Sequence, residues 1–153
     1  MLFRSPGGLL ERVNDVRRRL AQDLGVVLPS VRIRDDASLP PQGYCVRLRD
    51  AVAGAGTIRP AGVLVMDPSG AAPQVDGETV SEPSFGLPAV WTDPASASEL
   101  QSRGLAVLDP ASALGAHLLE VLRRRAWELL TVEETGRLLD RLRRSAQIGR
   151  AHV

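Results

Sequence analysis

His117 is the first residue of this chain to weigh for chemistry, because it is the only histidine before the last two residues. Ser112 precedes it by five positions and Glu120 follows by three. A nucleophile relay needs a base beside its hydroxyl and an acid behind the base. Five residues is about one and a half helical turns, so Ser112 does not share the face of His117. A helix histidine satisfied by a neighbour is the expected role. No second His or Cys stands at ligand spacing, which argues against a metal site. Gly54-Ala55-Gly56 lacks the third glycine of a dinucleotide loop and the lysine of a phosphate loop, so it reads as flexible strand or turn. Cys45 alternates with Tyr44 and Val46 and reads as a small buried hydrophobe. Arg123-Arg124-Arg125 falls near a helix C-terminus, where positive charge complements the helix dipole, and reads as a solvated end; Arg17-Arg18-Arg19 falls in the same class. The acidic residues form no acid–base pair.

The remaining candidate is a turn, Glu82-Pro83-Ser84-Phe85-Gly86-Leu87-Pro88-Ala89-Val90-Trp91. It holds two of the five aromatic residues of the chain. Its prolines fix φ and remove donors, while Gly86 admits a backbone angle that other residues resist. The segment is therefore a stiff turn presenting Phe85 in a set direction. Two roles fit that phenylalanine: a plug in the core, which the residues alone favour, or the floor of a shallow apolar dimple for another chain.

The elements that would hold these residues follow from periodicity. Leu9, Leu10, Val13, Val16, Leu20 and Leu24 predict a helix ended by Gly25. Residues 31–34 and 44–49 alternate as strands, the second with Tyr44, Val46 and Leu48 on one face. Residues 39–41 form an extended connector. Residues 51–58 are strand or loop, 63–66 a buried strand, 67–70 a turn, and 89–92 a short strand. A short helix over 95–103 and a strand over 105–108 come next. Asp109-Pro110 opens a helix whose stripe is Leu114, Leu118, Val121, Leu122, Ala126 and Leu129. Thr131 and Glu134 form a capping box for a last helix with Leu138, Leu139 and Leu142 inward. The class is α+β.

Composition bounds the rest. The chain has 153 residues, enough for one sizeable core or two small ones. All 19 basic residues are arginine, and the net charge of +1 makes no case for nucleic acid or an anionic membrane. One cysteine rules out an internal disulfide. No apolar run approaches spanning length and no signal peptide is visible, so the chain reads as soluble and suited to a reducing compartment. Residues 148–153 resemble a translated adapter oligonucleotide and are expected to be a non-native tail.

The order of motifs resembles a known family. It runs Gly7-Gly8-Leu9-Leu10-Glu11-Arg12-Val13, Leu24-Gly25, and Pro29-Ser30-Val31-Arg32-Ile33-Arg34-Asp35-Asp36. The proline-rich turn follows, then Val107-Leu108-Asp109-Pro110, Ala116-His117-Leu118 and Leu129-Leu130-Thr131-Val132-Glu133-Glu134. Together these resemble the cytoplasmic region of the type III export gate family, FHIPEP, found in flagellar and injectisome systems. The resemblance implies a protein-transport module and no enzyme. It implies a truncated piece of a ring-forming protein held at the cytoplasmic face of the bacterial inner membrane. The implied division is residues 7–60 with 110–129 as a first subdomain, and 61–109 as a second inserted into it. Residues 130–147 would open a helical third. The implied partners are export chaperone–substrate complexes and the export ATPase stalk protein, with no cofactor and no small-molecule substrate. The family's docking dimple maps onto Glu82 and Phe85. Ala116 stands where the family's Thr-His-Leu motif has its threonine, so that hydroxyl is lost. The resemblance moves Phe85 from plug towards exposed anchor. A different reading is a freestanding α+β ligand-binding domain or enzyme using His117.

Overall fold

The computed structural model describes residues 8–25, 28, 30–129 and 132–151. It is α+β, with helices packed on two small antiparallel sheets. Helix α1, Leu9–Leu24, buries Leu9, Val13, Val16 and Leu20 and ends where Gly25 turns left-handed, at φ 64°. Leu10 and Leu24, counted in the stripe, are exposed instead. Strands β1 (Gly43–Leu48) and β2 (Ala51–Thr57) form a hairpin with a bulge at Val46 and Arg47.

A four-stranded sheet follows, built from β3 (Val63–Met66), β4 (Glu78–Ser81), β5 (Pro88–Thr92) and β6 (Ala106–Leu108). Its spatial order is β4-β5-β3-β6, antiparallel throughout. Helix α2, Ala97–Ser102, covers one face through Leu100 against Val63 and Val65. Alternation sends Leu64, Met66 and Trp91 to the other face. Helix α3, Pro110–Arg124, starts on Asp109, whose carboxylate accepts from the N–H of Ser112 at 2.8 Å. It packs Leu118 and Leu122 against α1. A 3₁₀ turn, Ala126–Leu129, then leads to α4, Val132–Ala151.

Several expectations need correction. Residues 30–36 carry no strand, because no neighbouring strand offers them a pairing edge. The expected extended connector over residues 39–41 instead bends at Leu39 and turns at Pro41. Strand β4 escaped notice, since Glu78-Thr79-Val80-Ser81 is polar and gains its form from pairing with β5. The α3 stripe stops at Arg124, short of Ala126 and Leu129. Cys45 is half-buried. Leu139 and Leu142 are 50% and 59% exposed, with no covering element among the described residues. Thr131 and the side chains of Glu134 and Leu138 lie outside the described residues. Helix α4 continues past 147 to Ala151. Among the described residues no helix is long and apolar enough to cross a membrane.

Candidate functional site

The stiff turn is the loop joining β4 to β5. Two backbone bonds close it: the N–H of Glu82 donates to the carbonyl of Leu87 at 2.8 Å, and that of Gly86 to the carbonyl of Glu82 at 2.8 Å. Gly86 sits at φ 70°, the left-handed region its lack of a Cβ allows. The Glu82 side chain folds back into its own loop. Its carboxylate accepts from the N–H of Ser84 at 2.6 Å and of Phe85 at 3.0 Å. Glu82 is only 6% exposed, so its acceptors are spent on shaping the loop.

Phe85 is 66% exposed. The core-plug reading is therefore wrong: among the described residues no element covers the ring. It stands at the lip of a hollow of about 440 Å³ whose walls include Leu64, Met66, Leu87 and Trp91. Glu82 and Ala116 line the same hollow, so the three sequence-selected residues share one concavity. Ala116 is exposed and offers a methyl group from α3.

Arg124 ties the loop to α3. Its guanidinium donates to the carbonyl of Ser84 at 2.9 Å and to the Glu120 carboxylate at 2.8 Å, and lies 6.0 Å from the centre of the Phe85 ring. That distance is at the outer limit of a cation–π contact. The basic run is thus not merely a solvated end. Arg123 pairs with Asp23 of α1 at 3.0 Å, and Arg125 with Glu128 at 3.0 Å.

His117 is buried and its Nδ1 lies 2.5 Å from the Tyr44 hydroxyl. Burial holds the imidazole below its ordinary pKa, with Glu82 opposing and Arg124 adding to the shift. Burial, then the charge of Glu82, pushes the Tyr44 phenol well above its usual range. Both groups are neutral when they meet, and the tautomer of the imidazole sets which of them donates. Ser112 is occupied elsewhere, its hydroxyl donating to Asp109 at 2.8 Å. No hydrogen bond links His117 to a serine among the described residues, so the relay geometry is not assembled. Those residues also hold no cluster of three metal-ligating side chains.

Sequence reasoning missed the reason for Gly54 and Gly56. Gly56 is paired directly opposite Tyr44, and a Cβ there would lie 2.7 Å from the phenol oxygen. A Cβ on Gly54 would lie 2.9 Å from Val121 and 3.1 Å from Nε2 of His117. The glycines let the Tyr44–His117 pair, its rings edge to face at 72°, pack closely against β2. Only the hairpin register reveals this.

The geometry can now be set beside known proteins. The sequence profile of the FHIPEP family matches residues 2–148. The chain belongs to the FHIPEP family. Among FHIPEP relatives, the flagellar biosynthesis protein FlhA of Caulobacter vibrioides is 40% identical over 134 residues, which is 88% of this chain and 19% of that protein. FlhA of Bacillus subtilis is 38% identical over 139 residues, 91% of this chain and 20% of that protein. The chain thus spans about a fifth of the length of the curated relatives it matches. In shape it is similar to the Chlamydia pneumoniae CdsV protein, with TM-score 0.69 and 23% identity over 88% of this chain and 39% of that one. CdsV is also known in complex with CdsO. The nonameric SctV-C of EPEC shares the fold at TM-score 0.57 and 16% identity, over 91% of this chain and 42% of that one.

Proposed function

We propose that this FHIPEP chain is part of the cytoplasmic docking platform of a type III protein export gate, flagellar or injectisome. It receives chaperone–substrate complexes at the Phe85 hollow. The observation that carries the reading is a mostly exposed phenylalanine held rigidly at the lip of an apolar concavity. Large aromatics fixed beside apolar pockets are where binding energy concentrates at protein interfaces. Phe85 and Ala116 meet the partner in this reading, while Glu82 holds the loop that aims Phe85. The platform catalyses no reaction and takes no cofactor.

The parent protein sits at the inner membrane's cytoplasmic face. The proposed subdomains are residues 7–60 with 110–129, residues 61–109, and a third opening at residue 130. Separate hydrophobic clusters around α1 and α3 and beneath α2 support that split, while a third, on the other face of the sheet, takes in Ile58 and Ala113 of the first unit. The nine-copy assembly of SctV-C supports a ring for the parent, and the CdsV–CdsO complex supports a further partner, which we assign to the export ATPase stalk.

Phe85→Ala tests the docking site, with an export chaperone bound to its substrate as titrant. Affinity should fall roughly 30-fold, corresponding to a hot-spot loss of about 2 kcal/mol, with the unfolding midpoint unchanged. Unchanged affinity would refute the reading.

A further inference from the structure

The hollow beside Phe85 has an apolar wall that the fold keeps covered. Trp91 lines it, yet is only 6% exposed. Glu78 stands directly across from Trp91 in the β4–β5 ladder, so the two side chains share one face of the sheet. Val80, two residues along β4, lies on that face with Trp91 in one apolar cluster. A carboxylate on such a face needs a cation, and Arg59 supplies it. Its Nε donates to one Glu78 oxygen at 2.7 Å and its Nη2 to the other at 2.6 Å. Its Nη1 donates to Oε1 of Gln42 at 2.8 Å. A fork that engages both oxygens fixes the guanidinium in one orientation.

Arg59 thus ties three elements together. It lies in the link between β2 and β3, Gln42 immediately precedes β1, and Glu78 begins β4. The turn at Gly62 brings this arginine close to the indole: a Cβ on Gly62 would lie 3.3 Å from Cβ of Arg59 and 3.4 Å from Cε3 of Trp91. The arginine side chain therefore starts beside the ring and ends on the residue across from it. Among the described residues no other hydrogen bond joins this link or the hairpin to β4. Strand β4 is an edge strand, paired only with β5. Both members of the ion pair stay in contact with water, with side chains 32% and 48% exposed. Ion pairs of that kind add little stability and are screened by salt. A cover made this way opens readily, where a packed apolar one would not.

We infer that Arg59 is a salt-sensitive strap over the Trp91 end of the hollow. Paired with Glu78 and Gln42 it closes that end, and released it leaves the indole open to an apolar side chain of a visiting polypeptide. The visitor's part rests on the docking reading above, whereas the strap itself does not. A visitor that reaches Trp91 must first displace the guanidinium, and that requirement lowers its apparent affinity.

The test is acrylamide quenching of the whole chain carrying Trp127→Phe, which leaves Trp91 as its one tryptophan. Acrylamide is uncharged, so salt acts through the protein alone. Raising NaCl to about 1 M should increase the Trp91 quenching constant about twofold. Adding Arg59→Met, which keeps a long stem but loses the fork, should give the raised constant at low salt and no further response to NaCl. Glu78→Gln should fall between the two. A quenching constant that ignores salt, or a salt response that survives Arg59→Met, would overturn the inference. Affinity for a chaperone–substrate complex at low salt should rise about threefold with Arg59→Met. No rise, in a protein whose affinity Phe85→Ala still lowers, would overturn the strap's hold on docking. A Phe85→Ala variant that binds as the parent does would instead refute the docking reading, and the Trp91 readout would still decide the strap.

Discussion

Replacing Gly56 with alanine tests the packing that supports the site. The new Cβ would lie 2.7 Å from Oη, 2.8 Å from Cζ and 2.9 Å from Cε1 of Tyr44. Carbon atoms in good contact are about 3.5–4.0 Å apart, so the ring must retreat by roughly 0.7 Å. It cannot do so freely, because its hydroxyl is bonded to His117. Overpacking of this kind costs about 1–3 kcal/mol, and losing the hydrogen bond about 1 kcal/mol more. Restricting the unfolded chain returns roughly 0.5 kcal/mol. The expected net loss is about 1.5–3.5 kcal/mol. At a urea m-value of about 2 kcal/mol/M, the midpoint should drop by about 0.8–1.8 M. The decisive arm is the double variant. In a Tyr44→Ala background the alanine at 56 meets no ring and should cost almost nothing, a coupling of about 2 kcal/mol. A single variant within about 0.5 kcal/mol of the parent, or an equal cost in both backgrounds, would refute the reasoning.

Other measurements check separate parts of the structure. His117 is held below its ordinary value near 6.5, so the unfolded chain takes the proton first. Its contribution is complete above about pH 6.5 and shrinks as pH falls through the folded value. The groups facing it are Tyr44, Glu82, Glu120 and Arg124. The urea midpoint should decline from about pH 7.5 to 5.5, and His117→Gln should flatten that decline. A parent profile already flat there counts against the burial argument. Gly136→Ala, in α4 with nothing within 4 Å of the new Cβ, should gain about 0.5–1 kcal/mol, read as a higher melting temperature. Arg124→Ala should speed exchange of the Glu82 and Gly86 amides about five- to tenfold, as expected for losing roughly 1 kcal/mol of tethering. Unaltered exchange would show that the two backbone bonds hold the loop alone.

Local signals in the sequence led correctly to local structure. The Asp109-Pro110 start and the Gly25 stop lie at the ends of real helices, because caps act within a turn of chain. The alternation of residues 31–34 misled, since a strand also needs a neighbour and none is placed there. Strand β4 shows the converse: a polar run becomes a strand through its partner. At the site, the rigidity of the turn was legible from two prolines and a glycine. Whether Phe85 is covered was not, because exposure depends on which elements pass nearby. Arg124 reaches Ser84 across 40 positions, and Tyr44 meets His117 across 73. Pairings so distant leave no periodic trace.

The Arg124 contact has a mechanical consequence. The loop that carries Phe85 grows from the four-stranded sheet, yet its guanidinium clasp comes from a helix seated on α1. A shift of α3 relative to the sheet would pull on the Ser84 carbonyl, so a spectroscopic label at position 85 would report the spacing of those two elements.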